Sequence, residues 1–512
     1  MRRWALTIAL DPQHELPMFL QLARAIAGDI RRGRLRAGEP LPGTRELAEQ
    51  LGVNRNTIVA GYEELAAEGL VQTRIGGGTF VAASLPPDVR AAPATKDIPA
   101  NNPTYALAEP AHTAPAVKLP PPGSLMIAHS LPDARLFPAE AFTRALRRAI
   151  VQRGRSLIGY ADPCGHHRLR DELAKMLRST RALPATPDNL MVTRSLEQGI
   201  DLVARMLLKP GDVVAVEAFG YPPAWSVLRL AGAQLMPLPV DDEGLNVDAL
   251  EDALKHQRIR AVFVTPHHQF PTTCVMSPKR RERLAALALS HQFAVIEDDY
   301  DHEFHYAGKP VLPIASGQDR ANVIYIGSLS NLLAPGISTG FIHAPAATFG
   351  HLAGLRAACD PRSDVAMECA IAELFEDGEL LRHMRRMCRT YAARRDVLAE
   401  ALRRHLGSAL QFRVPEGGMG LWARVDDAIA IERWSEQGKR IGVQFFGARR
   451  YDFHQREQPY LRLGFSYLDE AELDEAVRRM ARALAELGTR SPKLSRAASP
   501  GAIGHDPPPV QI

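Results

Sequence analysis

Near the N-terminus, apolar residues in MFLQLARAIAGDIRRGRL (18–35) recur at the spacing of one helix face. GEPLPGTRELAEQLGV (38–53) and NRNTIVAGYEELAAEGL (54–70) follow it. Pro42 cannot sit in a helix interior, and Thr44 reads as an N-cap, so a short helix is expected up to a Leu51-Gly52-Val53 turn. Asn54 then caps a longer helix. From Val71 to Val81, with Gly76, Gly77 and Gly78, the chain reads as a small hairpin.

The texture then changes. Residues 83–125 are rich in Pro and Ala and poor in large apolar side chains, which predicts an extended linker. Residues 126–488 alternate short β-branched runs with helical patterns. Strands are expected at NLMVT (189–193), VVAVE (213–217), AVFVT (261–265), AVIEDD (294–299) and VIYIGS (323–328), with helices between them, as at 196–208 and 279–292. This alternation predicts an α/β domain with a mostly parallel sheet covered on both faces. Ligands of such sheets sit beyond the carboxyl ends of the strands. The tail from 489 to 512 is polar and Pro-rich and is expected to be disordered.

Composition narrows the class. The 512 residues suggest about three structural units. A 46% hydrophobic and 23% charged chain has the balance of a folded protein, which excludes wholesale disorder and a collagen-like repeat. The net charge of +4 is too mild to announce a nucleic-acid binder, and its basic side chains are nearly all Arg. Five scattered cysteines without a C-x-x-C pair indicate neither a disulfide framework nor a metal site. The N-terminus makes a poor signal peptide, and no apolar run approaches the ~20 residues of a membrane span. A cytoplasmic protein away from the membrane is expected.

Helix, helix, tight turn, helix and Gly-rich hairpin together make a winged helix-turn-helix over residues 1–82. The second helix of such a motif enters the major groove of double-stranded DNA by its first residues, here Asn54, Arg55, Asn56 and Thr57. Asn and Arg can pair with purine edges through two hydrogen bonds, and Thr reaches phosphate or a thymine methyl. Arg45 is placed to reach the backbone or groove. The string LPGTRELAEQLGVNRNTIVAGYEELAAEGLVQTRIGGGTFV resembles the GntR family's DNA-binding domain nearly end to end. The resemblance implies DNA contacts at Arg45, at Asn54–Thr57 and at Gly76 of the wing. Acids such as Glu46, Glu63, Glu64 and Glu68 nearly balance the arginines, so binding depends on where each arginine sits.

In the large segment, GYADPCGHHRLRDEL (159–173), VEAFGYPPAW (216–225), TPHHQFPTT (265–273), AVIEDDYDHEFHY (294–306), YIGSLSNLLAPGISTGF (325–341) and LRLGF (461–465) stand at strand ends or turns. In this order they resemble a fold-type I aminotransferase domain, and with the head they resemble the MocR/GabR group of bacterial regulators. The resemblance spans roughly residues 12–82 and 126–485. It implies a homodimer, a pyridoxal 5′-phosphate site and a small amino-compound effector. Asp298 would hold the pyridine nitrogen, Tyr300 would touch the phenolic oxygen and Tyr221 would stack on the ring. Arg462 would take the effector carboxylate. Ser328 and Asn331 stand in the motif that carries the cofactor lysine.

That motif departs from the family. Where the family reads S-x-S-K-x-L-x-P-x-x-R-x-G, this chain runs from Ser328 to Gly340 with Asn331 in place of the lysine and Ser338 in place of the phosphate-binding arginine. An amide nitrogen is not nucleophilic and forms no covalent link to an aldehyde. Lys309 lies in the wrong loop. The family's T-x-G-S-Q-Q turn is Thr193-Arg194-Ser195-Leu196-Glu197-Gln198, and its P-T-G glycine is Thr273. Leu196 offers no hydrogen bond to a phosphate, Glu197 brings like charge, and Arg194 is a replacement cation of unknown direction. Covalent cofactor binding is therefore not expected, and no catalytic residue is assigned. The expected function is a DNA-binding transcription regulator with a degenerate aminotransferase-like domain. The competing readings are a working pyridoxal-phosphate aminotransferase with an accessory head, and an architectural DNA binder with an empty large domain.

Overall fold

The computed structural model describes residues 8, 10–12, 14–74, 77–84, 121, 123–157, 159, 161–308 and 311–489. Gly76, Lys309, most of the Pro/Ala-rich stretch and the tail beyond Thr489 lie outside the described residues. The chain forms two compact units, Met1–Ala108 and Glu109–Ile512.

The first unit contains α1 (Met18–Arg31), α2 (Thr44–Leu51), α3 (Arg55–Ala67), β1 (Val71–Arg74) and β2 (Gly78–Val81). Leu22, Ala23, Ile26, Ala27 and Ile30 form the buried stripe of α1, at the spacing the sequence shows. The stripe meets α3 at Gly61, where a Cβ would lie 2.8 Å from a Leu22 methyl and 3.1 Å from the Phe19 carbonyl. Tyr62 donates to the Pro42 carbonyl at 2.9 Å and so ties α3 to the residues before α2. Gly52 closes α2 in the left-handed conformation that glycine adopts most cheaply. Asn54 caps α3, its side chain accepting from the Asn56 amide at 2.9 Å. Thr44 is not the cap of α2. Gly43 holds that position without a side-chain bond, and Thr44 Oγ1 instead accepts from Arg55 Nε at 3.3 Å. β1 and β2 form the antiparallel hairpin.

In the second unit the chain runs β3 (Leu125–Met126), α4 (Ala139–Arg153), α5 (His167–Arg181), β4 (Leu190–Thr193), α6 (Leu196–Leu207), β5 (Val213–Glu217), α7 (Pro222–Leu230) and β6 (Gln234–Leu238). It continues through β7 (Val240–Asp241), β8 (Gly244–Leu245), α8 (Val247–His256), β9 (Ala261–Val264), α9 (Pro278–His291), β10 (Ala294–Asp299), β11 (Val323–Ser328) and β12 (Gly340–His343). The last part holds α10 (Ala346–Cys359), α11 (Val365–Glu376), α12 (Glu379–Leu406), β13 (Leu410–Phe412), β14 (Gly420–Val425), α13 (Ile431–Arg440), β15 (Val443–Gln444), β16 (Tyr460–Gly464) and α14 (Glu470–Thr489). Leu125, at the end of the stretch read as linker, already pairs with Val443 in a small parallel ladder.

The main sheet has seven strands in the order β4-β12-β11-β10-β9-β5-β6. All neighbours are parallel except β12, which runs antiparallel to β11 and β4. The five strands expected from the sequence are β4, β5, β9, β10 and β11. Alternate side chains of these strands enter two different cores: Val214, Val216, Ile296, Ile324 and Ile326 on one face, Ala215, Val295, Val323 and Tyr325 on the other. A sheet covered on both faces needs this pattern. β4, β5, β10 and β11 point the same way, so Thr193, Glu217, Asp298 and Ser328 share one edge. A separate antiparallel sheet, β13-β14-β16, places Arg462 opposite Trp422.

Candidate functional site

The head presents its groove-reading residues outward. Arg45, Asn54, Arg55 and Asn56 are exposed, and Thr57 is half-buried. Among the described residues no carboxylate pairs with Arg45 or Arg55, so both guanidinium groups are available to phosphate and base edges. The Thr44 hydroxyl holds Arg55 beside the start of α3.

At the sheet edge of the large unit, the residues expected to meet a cofactor do come together. Tyr221 packs edge-on to Phe270 at 5.3 Å, Phe270 meets Tyr300 at 6.0 Å, and the Arg462 guanidinium lies over the Phe270 ring at 4.6 Å. Phe270 is thus the hub of this wall, a role the sequence reading did not assign. Asp298, next to last in β10, is 2% exposed, and its Oδ1 has no hydrogen-bond partner. Burial, with Asp299 and Glu197 nearby, pushes its carboxyl well above the usual carboxylate range. A buried acid with an open oxygen suits a donor or cation from a ligand, as a pyridine nitrogen requires.

The other two ends of the expected cofactor site lack the groups the cofactor needs. Asn331 does not face an empty pocket: its Nδ2 donates to the Tyr300 carbonyl at 3.0 Å. The Tyr300 hydroxyl is spent on the His268 carbonyl at 2.9 Å, and the Tyr221 hydroxyl donates to Glu197 at 2.8 Å. Ser328 braces its own turn, with Oγ bonded to Ser330 Oγ at 3.0 Å. At the phosphate end, a cleft of about 230 Å³ is lined by Thr193, Arg194, Ser338, Thr339, Arg356 and Glu368 among others. Arg194 does not point into it as a free cation. Asp360 takes Arg194 at 3.2 Å, Arg356 at 3.1 Å and Gln198 at 2.9 Å. Thr273 keeps the left-handed backbone of a glycine, with φ of 65°, and so retains the shape of the family's turn at the cost of strain in a β-branched residue. Of the three ends of the expected cofactor site, the ring-nitrogen end fits, and the aldehyde and phosphate ends do not.

Arg462 is buried, and one of its nitrogens donates to the Pro271 carbonyl at 2.9 Å. Among the described residues no carboxylate pairs with it. A buried guanidinium without a counter-ion is costly, and a ligand carboxylate offsets that cost.

Glu217, at the end of β5, is buried and accepts from Thr265 Oγ1 at 2.7 Å. Burial pushes its carboxyl up to about 7, and the Thr265 bonds only partly oppose this. The folded value lies above the unfolded value of ~4.3, so the group's contribution is complete below that pH and is lost as pH rises through about 7. At ~1.4 kcal/mol per unit, the loss approaches ~4 kcal/mol. Replacing Glu217→Gln should therefore shift the stability difference in favour of the variant by up to that amount between pH 4.5 and pH 8. Urea midpoints at the two pH values measure it, and a gap that does not change with pH would refute the burial argument.

Among the described residues no helix is long and apolar enough to cross a membrane. The family described as bacterial regulatory proteins, gntR family, matches residues 19–81, and aminotransferase class I and II matches residues 130–480. Over 478 residues the chain is 32% identical to the "Probable rhizopine catabolism regulatory protein MocR" of Rhizobium meliloti, covering 92% of this chain and 94% of that protein. It is 31% identical to the pyridoxine biosynthesis transcriptional regulator PdxR of Corynebacterium glutamicum, over 78% and 81% of the two chains. The large unit is also similar to the solved α-aminoadipate aminotransferase LysN of Thermus thermophilus, complexed with N-(5′-phosphopyridoxyl)-L-leucine. The TM-score is 0.67 at 27% identity, over 72% of this chain and 94% of that one. Domains of that fold normally bind pyridoxal 5′-phosphate. With an exposed DNA-reading helix at one end and an aminotransferase fold lacking its lysine at the other, the chain belongs to the MocR-type regulators, in which a GntR DNA-binding head is joined to an aminotransferase class I and II domain.

Proposed function

We propose that this regulator binds its operator as a homodimer in the cytoplasm and runs no transamination. Its large domain serves dimerisation and non-covalent sensing of a small amino compound. The observation that carries the reading is Asn331: the nitrogen that replaces the lysine is an amide, and it is committed to the Tyr300 carbonyl. Asp298, with its open oxygen, and Arg462, without a counter-ion, support a pocket that still receives a ligand carrying a cationic nitrogen and a carboxylate. That pair of groups also weighs against an empty architectural domain.

One spectrum tests the reading. Purified full-length protein incubated with pyridoxal 5′-phosphate should show at most a free-aldehyde absorbance that dialysis removes, and no half-transamination with amino acids. A borohydride-reducible adduct on the unmodified chain, mapped by mass spectrometry, would overturn the reading and name a substitute lysine.

A further inference from the structure

The fold brings histidines of the TPHHQ and DHEFH strings into one patch. We propose that His267, His268 and His305 form a binding site for a divalent transition-metal ion of the zinc class. One ring nitrogen from each of the three lies within 4.8 Å of the others. Ligands at zinc–nitrogen distances of 2.0–2.1 Å stand about 3.3 Å apart in a tetrahedron, so the site closes on an ion by roughly an ångström of side-chain movement.

The nitrogens are free to bind. His267 is 4% exposed and His268 2% exposed, and neither nitrogen of His267 nor Nε2 of His268 has a hydrogen-bond partner. Buried imidazole nitrogens left this way are costly in a dry interior, and stacking the rings does not satisfy them. His268 Nδ1 stands 2.8 Å from Asp301 Oδ1. A carboxylate there holds the ring proton on Nδ1 and turns the Nε2 lone pair to the site, the arrangement that second-shell acids give to metal-binding histidines. The chain passes Nε2 at Gly417, where any Cβ would collide with it. Behind His267, the His302 ring stacks at 4.4 Å, and its Nδ1 lies 2.9 Å from Asp299. Three imidazole nitrogens suit zinc or a similar ion. His305 is half-buried, with its ring nitrogens turned away from solvent. The site backs onto the pocket wall, because the His268 carbonyl receives the Tyr300 hydroxyl.

The test uses the full-length protein, stripped with a chelator and dialysed against zinc chloride. Elemental analysis should find one zinc per chain, lost in both His267→Ala and His305→Ala. Cobalt should give the visible d–d band of a tetrahedral site in the wild type alone. Asp301→Asn should weaken zinc binding by about 10–100-fold. Unchanged circular dichroism and operator binding show that the variants are folded; His305, the least buried ligand, keeps the test decisive if His267→Ala does not fold. No retained zinc in the wild type, or equal retention by His305→Ala, would overturn the proposal.

Discussion

Arg55→Ala will abolish specific operator binding while leaving the head folded. The guanidinium is exposed at the first turn of α3, is held by the Thr44 hydroxyl, and contributes nothing to the buried core of the head. In a major groove it can make a two-hydrogen-bond contact to a purine, worth ~1–3 kcal/mol. The homodimer proposed above would lose that contact in both half-sites, about 2–6 kcal/mol, or roughly 30- to 25,000-fold in affinity. Arg45→Ala should behave differently. A phosphate contact carries no sequence information, so its loss weakens all DNA evenly and lowers the salt slope by ~0.9 per phosphate. Mobility shifts on the native upstream region at several salt concentrations separate the two effects. Light scattering of the complex should count two chains per operator. Equal affinity of Arg55→Ala and wild type for that region would sink the assignment of α3 as the reading helix.

The parts of this fold that were legible in the sequence are those where burial acts on a local pattern. β5, β9, β10 and β11 are covered on both faces, so each opens with an unbroken apolar run. β12 reads GFIH, with only Phe341 and Ile342 strongly apolar, and β6 is half-covered and contains Pro237, so neither run stood out. Thr44 looked like a cap because it follows Pro42 and Gly43, but the helix includes it, and its hydroxyl is used by Arg55 from the next helix. The site residues Tyr221, Asp298, Tyr300, Asn331 and Arg462 were placed by their motifs. Their partners were not, because those partners are remote. Asp360, which takes Arg194, lies 166 residues away, and nothing near Arg194 signals it. Phe270 gathers Tyr221, Tyr300 and Arg462 only after four segments have packed. The histidines lie in two motifs far apart in sequence, and the parallel pairing of β9 and β10 sets them side by side.

Asn331→Lys alone will not restore tight cofactor binding, whereas the triple change Asn331→Lys, Ser338→Arg and Leu196→Ser should produce a visible band and a borohydride-reducible adduct. The single lysine would supply the missing nucleophile, and the Tyr300 carbonyl that now receives Asn331 could still accept from it. It would not anchor the phosphate. Ser338 is exposed and among the described residues reaches only the Ser330 hydroxyl, at 3.5 Å, and Leu196 has no polar side-chain atom. The two nearby arginines share Asp360, which cancels much of their charge, and Glu197 adds a negative group bonded to Tyr221. An arginine at position 338 returns a two-hydrogen-bond contact to phosphate, worth about 1.5–3 kcal/mol as a charged hydrogen bond. The expected gain over the single variant is therefore at least ~10-fold in cofactor affinity, read by titration of the visible band. Asn331→Lys as the only change, if it gave full and dialysis-resistant loading, would show that the phosphate end was never lost and that one substitution alone separates this regulator from a working cofactor site.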